Sequence, residues 1–237
     1  MHGNGLTADA PADALRHSAH IRLFEDGAFR DFGWRPRFGP EVGCAAAWTR
    51  ARPGESLVCC KFARDASNLY YDWHPEATVG GSEDEFRGPL YPRLLHQWRL
   101  LRETLLEAGE QPVLSAFCWM QGERDSVFRF MAENYQQSLS ALIRHIRADT
   151  AAPELPVVIG RVAPRVIDPA TGESRHPFHA LVHEAQTRIA RELPGISLVE
   201  TADLPQSDNL HFTAAGQIEL GRRFALAASS FLPALTP

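Results

Sequence analysis

Val113-Leu114-Ser115-Ala116-Phe117-Cys118-Trp119 is a short apolar run, residues 134–148 are amphipathic, and Val157-Val158-Ile159-Gly160 is apolar again. The middle segment carries Tyr135, Leu139, Leu142, Ile143 and Ile146 at the spacing of one helix face. Strand, helix and strand in succession predict neighbouring parallel strands joined by a crossover helix. The pattern extends both ways. Ser56-Leu57-Val58-Cys59-Cys60-Lys61-Phe62 reads as a buried strand. Residues 90–108 place Leu94, Leu95, Trp98, Leu101 and Leu105 at helical spacing, and Gly109 stops that helix. Residues 177–193 read as a helix, Ile196-Ser197-Leu198-Val199 as a further strand, and 213–231 as a last helix with Thr213 at its N-cap.

Near the start, Ile21-Arg22-Leu23-Phe24 and Ala28-Phe29 flank Glu25-Asp26-Gly27, a hairpin with an Asp-Gly turn. Pro40 and Glu41 open a helix through about Arg50. Residues 1–20, rich in Ala, Asp, Gly and His, read as loop. There is no internal repeat. The fold class is therefore α/β, a parallel sheet covered on both faces, in one domain spanning 1–237. Ligands on such sheets sit beyond the carboxyl ends of the strands, which points to the loops after Phe62, Trp119 and Val199.

Composition narrows the function. With 24 Lys+Arg against 29 Asp+Glu, the net charge of -5 gives no electrostatic footprint for nucleic acid. No apolar run approaches the ~20 residues of a membrane span, and the first residues lack the apolar region of a signal peptide. Cys44, Cys59, Cys60 and Cys118 form no C-x-x-C pair, and buried free thiols in a reducing, cytoplasmic compartment are the default. A signal peptide upstream of Met1 would change that to a secreted or periplasmic location.

Two motifs carry chemistry. Asp208-Asn209-Leu210-His211, just ahead of the last helix, has an acid three residues before a histidine. The acid can hold the imidazole in one tautomer while the imidazole takes a proton from a hydroxyl. Cys118-Trp119-Met120-Gln121-Gly122-Glu123-Arg124-Asp125 follows a strand directly. Gly122 permits a sharp turn, and Gln121 presents an amide donor that could stabilise an oxyanion. The plainer alternative is that Glu123 and Asp125 only complement the dipole of the next helix.

WMQGERD together with SDNLHFTAAGQIELGRRFA resembles the sialate O-acetylesterase-like carbohydrate esterases of the SGNH hydrolase superfamily. Phe38-Gly39-Pro40-Glu41 resembles that family's Gly-Pro-Glu helix start, and Gly88-Pro89-Leu90-Tyr91 the opening of its long helix. The resemblance implies a three-layer α/β/α, flavodoxin-like fold with strand order 2-1-3-4-5. It implies Gln121 in the oxyanion hole, Glu123 as a hydrogen-bonding anchor, and Asp208 with His211 as acid and base. The implied reaction is removal of acetyl groups from sugars through an acyl-serine, with acetylated carbohydrate or a small ester as substrate and no cofactor.

The chain departs from the family twice. Met1-His2-Gly3-Asn4-Gly5 resembles the residues just past the family's nucleophile serine, so the serine and its strand are absent. Losing a central strand would leave backbone groups unpaired at about 1–3 kcal/mol each against a total stability of about 5–15 kcal/mol. The expectation is a natural polypeptide that begins upstream and carries both. Second, Asp65 and Ala66 stand where the family shows a glycine pair. A carboxylate there opposes developing negative charge unless it points away. The rival reading is a catalytically inactive carbohydrate-binding relative; an esterase acting on non-sugar esters is a third.

Ser67 follows a strand end and is the best internal candidate nucleophile, although serine is common in turns. Ser18, near His17 and His20, reads as loop, and Ser207 as a turn residue. His179 and His183, four apart, have a spacing compatible with metal, but a solvated helix face is the expected reading and no metal is assigned. Trp73 could stack a sugar ring or be structural. Arg64, in the loop after the first apolar strand, is a candidate for substrate contact. Arg124 and Arg161 lie near strand ends, where contact with an anionic substrate competes with simple solvation.

Overall fold

The computed structural model describes residues 3–4, 20–30, 32, 37–76, 90–163, 167, 170–208 and 210–233. Ser18, Gly88, Pro89 and Asn209 lie outside the described residues. The chain divides into two compact units. The first comprises 1–63, 97–113 and 203–237; the second comprises 64–96 and 114–202.

In the first unit β1 (Gly3–Asn4) pairs antiparallel with β4 (Arg37–Phe38). β2 (Ile21–Glu25) and β3 (Ala28–Arg30) form the expected hairpin. Asp26 and Gly27 both have positive φ, 51° and 74°, the backbone whose twist matches that of the flanking strands. β2 also pairs in parallel with β5 (Leu57–Lys61), Leu23 opposite Cys59, giving the order β3-β2-β5. Alternation along β2 sorts its side chains to two faces. Ile21 and Leu23 join Val42, Ala45 and Trp48 of α1 (Glu41–Ala51) and Ile218 of α5 (Ala214–Ser229). Phe24 joins Leu101 and Leu105 of α2 (Leu90–Glu107) on the other. This is a helix–sheet–helix sandwich.

α1 and α5 meet backbone to backbone. A Cβ added at Gly43 would lie 1.9 Å from the Ile218 carbonyl oxygen, and one at Gly221 1.9 Å from that of Pro40. Lys61, at the end of β5, lies between Glu25 at 3.1 Å and Glu41 at 3.0 Å. All four cysteines are without disulfides; where the sequence predicts burial, Cys44, Cys59 and Cys60 are half-buried and Cys118 is exposed, and desolvation pushes the Cys60 thiol up to about 11.

The second unit holds β6 (Phe117–Trp119), β7 (Val157–Gly160) and β8 (Ile196–Val199), all parallel in that order. α3 (Arg129–Asp149) packs on α4 (His179–Glu192), and α4 on β8. The strand expected over 113–119 forms only from Phe117, and Val113 is 82% exposed. The ladder to β7 starts at the pair Phe117–Val157, and Pro156 before it has no N–H to extend the ladder. The apolar strands expected in one sheet are thus distributed: 57–61 pairs with β2, and the other three form β6-β7-β8. Among the described residues no strand joins β5 to β6. No described helix is long and apolar enough to cross a membrane.

Candidate active site

The Asp208 segment owes its shape to its spacing. One carboxylate oxygen of Asp208 accepts the backbone N–H groups of Leu210 (3.1 Å) and His211 (2.6 Å). That turn brings the imidazole back over the other oxygen, with His211 Nδ1 2.6 Å from Asp208 Oδ2. The loop is closed at its base. Ser207 N–H and Oγ both donate to the His211 carbonyl, and Thr213 N–H donates to that of Pro205. Phe212 is buried beneath it. Thr213 caps α5 as expected, its Oγ accepting from Gly216 N at 3.2 Å. Arg223 of α5 holds Asp203 with two bonds of 2.8 and 2.6 Å, which pull the Asp203 carboxyl down to about 2.

Both members of the acid–histidine pair are about half exposed, His211 at 49% and Asp208 at 54%. Partial burial raises the Asp208 carboxyl. The backbone and ring of His211 and the N–H of Leu210 outweigh it and hold the group below its ordinary value. Nε2 of His211 makes no hydrogen bond among the described residues.

In the second unit Gln121 stands at the end of β6, where φ +143° at Gly122 turns the chain. A Cβ at Gly122 would fall 2.6 Å from Val162 and 3.1 Å from the Tyr135 hydroxyl, so only glycine fits. Tyr135 donates to the Gln121 carbonyl at 2.6 Å. The Gln121 side-chain amide is buried, and its nitrogen donates to Asp125 at 2.6 Å and to the Ser67 carbonyl at 3.1 Å. Its oxygen is buried without a partner.

Asp125 is the residue that sequence reasoning undervalued. Instead of complementing a helix dipole at the surface, it is fully buried. It accepts from Leu69 N at 2.9 Å, Tyr70 N at 3.2 Å and Gln121, so it ties the 67–73 loop to the Gln121 loop. Burial pushes its carboxyl up to about 6, against the pull of Gln121 and the two backbone amides. The folded state therefore binds this proton more tightly than the unfolded chain. Its stabilising contribution is full below the ordinary carboxylate range and fades as pH rises through about 6. The stability advantage of wild type over Asp125→Asn should shrink by about 2 kcal/mol between about pH 4 and pH 7. Urea unfolding at the two pH values measures it; a constant gap would place the carboxyl in a different environment.

The remaining candidates fall as follows. Ser67 is buried, its Oγ donating to the Arg64 carbonyl at 2.8 Å and accepting from the Trp73 indole at 2.8 Å. Trp73 is 4% exposed and lies edge-to-face on Trp119, so its ring fills core rather than facing a sugar. Ala66 has φ 54°, the left-handed backbone that favours glycine, at the place of the family's glycine pair. Asp65 and Arg64 are exposed on this loop, and Glu123 is half-buried in the turn after Gly122. Arg161 is engaged with Glu200 at 2.8 Å and with the His183 carbonyl, and the Arg124 guanidinium lies over the Phe128 ring. Nε2 of His183 lies 2.7 Å from the Val162 carbonyl and Nδ1 of His179 3.0 Å from that of His176, so each histidine has a backbone partner.

An α/β sheet protein with an acid–histidine pair ahead of its last helix has the architecture of the SGNH-type ester hydrolases. The chain belongs to the family described as carbohydrate esterase, sialic acid-specific acetylesterase, whose sequence model matches residues 14–230. It is 32% identical over 139 residues to the probable carbohydrate esterase At4g34215 of Arabidopsis thaliana, covering 58% of this chain and 46% of that relative. The match thus spans about half the length of the relative. Its fold is similar to the crystal structure of that Arabidopsis protein, with a TM-score of 0.70 and 23% identity over 91% of this chain and 83% of the other. XAC1771, a carbohydrate acetylesterase from Xanthomonas citri, gives a TM-score of 0.70 at 18% identity over 94% and 51% of the two chains. NanS gives 0.63 at 15% over 97% and 92%.

Proposed function

We propose that this protein is a carbohydrate O-acetylesterase. His211 is the general base, oriented by Asp208, and the hydroxyl it activates is a serine on a strand preceding Met1. The observation that carries the reading is the 2.6 Å contact between His211 Nδ1 and Asp208, with Nε2 left for the hydroxyl. The serine oxygen attacks the acetyl carbonyl as its proton passes to Nε2. The tetrahedral oxyanion collapses, the sugar oxygen leaves with that proton, and water then releases acetate from the acyl-serine by the same route.

Gln121 serves as an oxyanion donor. Of its two amide bonds, the 3.1 Å one to the Ser67 carbonyl is the weaker and the one an oxyanion would replace. Engagement of Ser67 by Arg64 and Trp73 supports a nucleophile other than Ser67. The substrate is an acetylated sugar or a small ester, and serine chemistry requires no cofactor. The test is acetate release from acetylated xylo-oligosaccharides by the polypeptide extended to include the upstream in-frame sequence. Release above background is expected. Binding of those sugars without release would replace this reading with a non-catalytic carbohydrate-binding protein, and an early upstream stop codon would remove the proposed serine.

A further inference from the structure

Sequence left Trp73 either to stack a sugar ring or to be structural, and the fold buries it. Exposed aromatic surface lies elsewhere in the same unit. Phe128 and Phe130, at the start of α3, are 39% and 43% exposed. Tyr70 meets Phe130 edge-to-face with ring centroids 5.3 Å apart, Tyr71 meets Tyr70 at 4.7 Å, and Phe128 lies 6.1 Å from Phe130. The hydroxyls of Tyr70 and Tyr71 make no hydrogen bond among the described residues. The guanidinium of Arg124 lies over the Phe128 ring, 5.2 Å from its centroid.

We propose that Tyr70, Tyr71, Phe128 and Phe130 form a binding platform for a pyranose unit of the substrate glycan, with Arg124 over Phe128. A pyranose has an apolar C–H face and a rim of hydroxyls. This patch offers aromatic faces beside phenol and guanidinium donors, the mixture that fits both. The platform is fixed before binding. Asn68 accepts from Tyr71 N at 2.7 Å and donates to the buried Asp72 at 2.8 Å. Asp125 holds Tyr70 N on one side and Gln121 on the other. Rings held this way lose little freedom when a ligand arrives. Asp125 therefore joins the loop that bears the two tyrosines to the loop that carries the proposed oxyanion donor, and a neighbouring sugar ring of an acetylated oligosaccharide is the occupant this linkage favours.

The inference rests on the carbohydrate-esterase reading, and its test separates the two. The full chain, labelled for aromatic NMR, is titrated with xylotetraose, cellotetraose and chitotetraose. Saturable shifts of the Phe128 and Phe130 ring signals are expected with at least one, weakened about tenfold in Phe130→Ala. Silent rings with all three sugars, or equal affinity in Phe130→Ala, would overturn the platform. Self-association abolished by Phe130→Ala, with silent rings, would also overturn it and make the patch a contact between copies. Hydrolysis of 4-nitrophenyl acetate by the upstream-extended polypeptide is scored independently. Cleavage with silent rings removes the platform and leaves the esterase standing; ring shifts without cleavage do the reverse.

Discussion

Replacing His211 by alanine should lower kcat for acetyl-ester hydrolysis on the order of 10⁴-fold or more in the polypeptide that carries the nucleophile. The imidazole is the proposed proton acceptor in the step that forms the acyl-serine, so its loss falls on the transition state and leaves KM nearly unchanged. The variant should fold normally. The ring is 49% exposed, and the turn around it is held by backbone bonds to Asp208 Oδ1 that alanine retains. Initial rates with 4-nitrophenyl acetate, alongside an unfolding curve, measure both. Undiminished turnover would take His211 out of the chemistry.

The second large effect concerns folding. Gly221→Ala should destabilise the protein by about 4 kcal/mol or more, a large share of the total for a domain of this kind. The added methyl would sit 1.9 Å from the Pro40 carbonyl oxygen and 2.5 Å from Cys44 N, both backbone atoms that no rotamer change can move. α1 and α5 would have to separate, taking Val42, Ala45 and Ile218 out of contact with the Ile21–Leu23 face of the sheet. Gly43→Ala meets the same obstacle from the other helix, against Ile218. The two substitutions should therefore cost less together than the sum of each alone, because either one already opens the crossing. Urea denaturation followed by far-ultraviolet circular dichroism gives the values, and an unchanged midpoint would mean that the helices do not approach so closely.

Much of this was legible in the sequence. The strands at 157–160 and 196–199 coincide with their apolar runs, and the Asp26-Gly27 turn and the Thr213 cap follow from local chemistry that distant residues do not override. The Asp208–His211 pair was legible for the same reason: a three-residue spacing suffices to close the turn. What failed was long-range. The parallel pairing of β2 with β5 is missed when Ile21-Arg22-Leu23-Phe24 is read only as half of a hairpin, although α1 between the two strands is the crossover helix that such a pair needs. α3 starts at Arg129, five residues ahead of expectation, because Phe128 and Phe130 face outward and break the apolar stripe used to find it. Asp125 reads in sequence as an acid whose plainer role is to complement the next helix, because its partners, Leu69 and Tyr70, lie more than fifty residues away. Trp73 stayed open between sugar stacking and a structural role because nothing local reveals that Trp119 lies against its ring.

The loop bearing His211 is riveted to α5 by Arg223 and by the Thr213 cap, and α5 leans on α1 through side-chain-free glycines. Random mutagenesis screened only for lost turnover would consequently gather lesions at the helix crossing beside true chemical knockouts. The former should recover activity on cooling or with added stabilising osmolyte, and the latter should not.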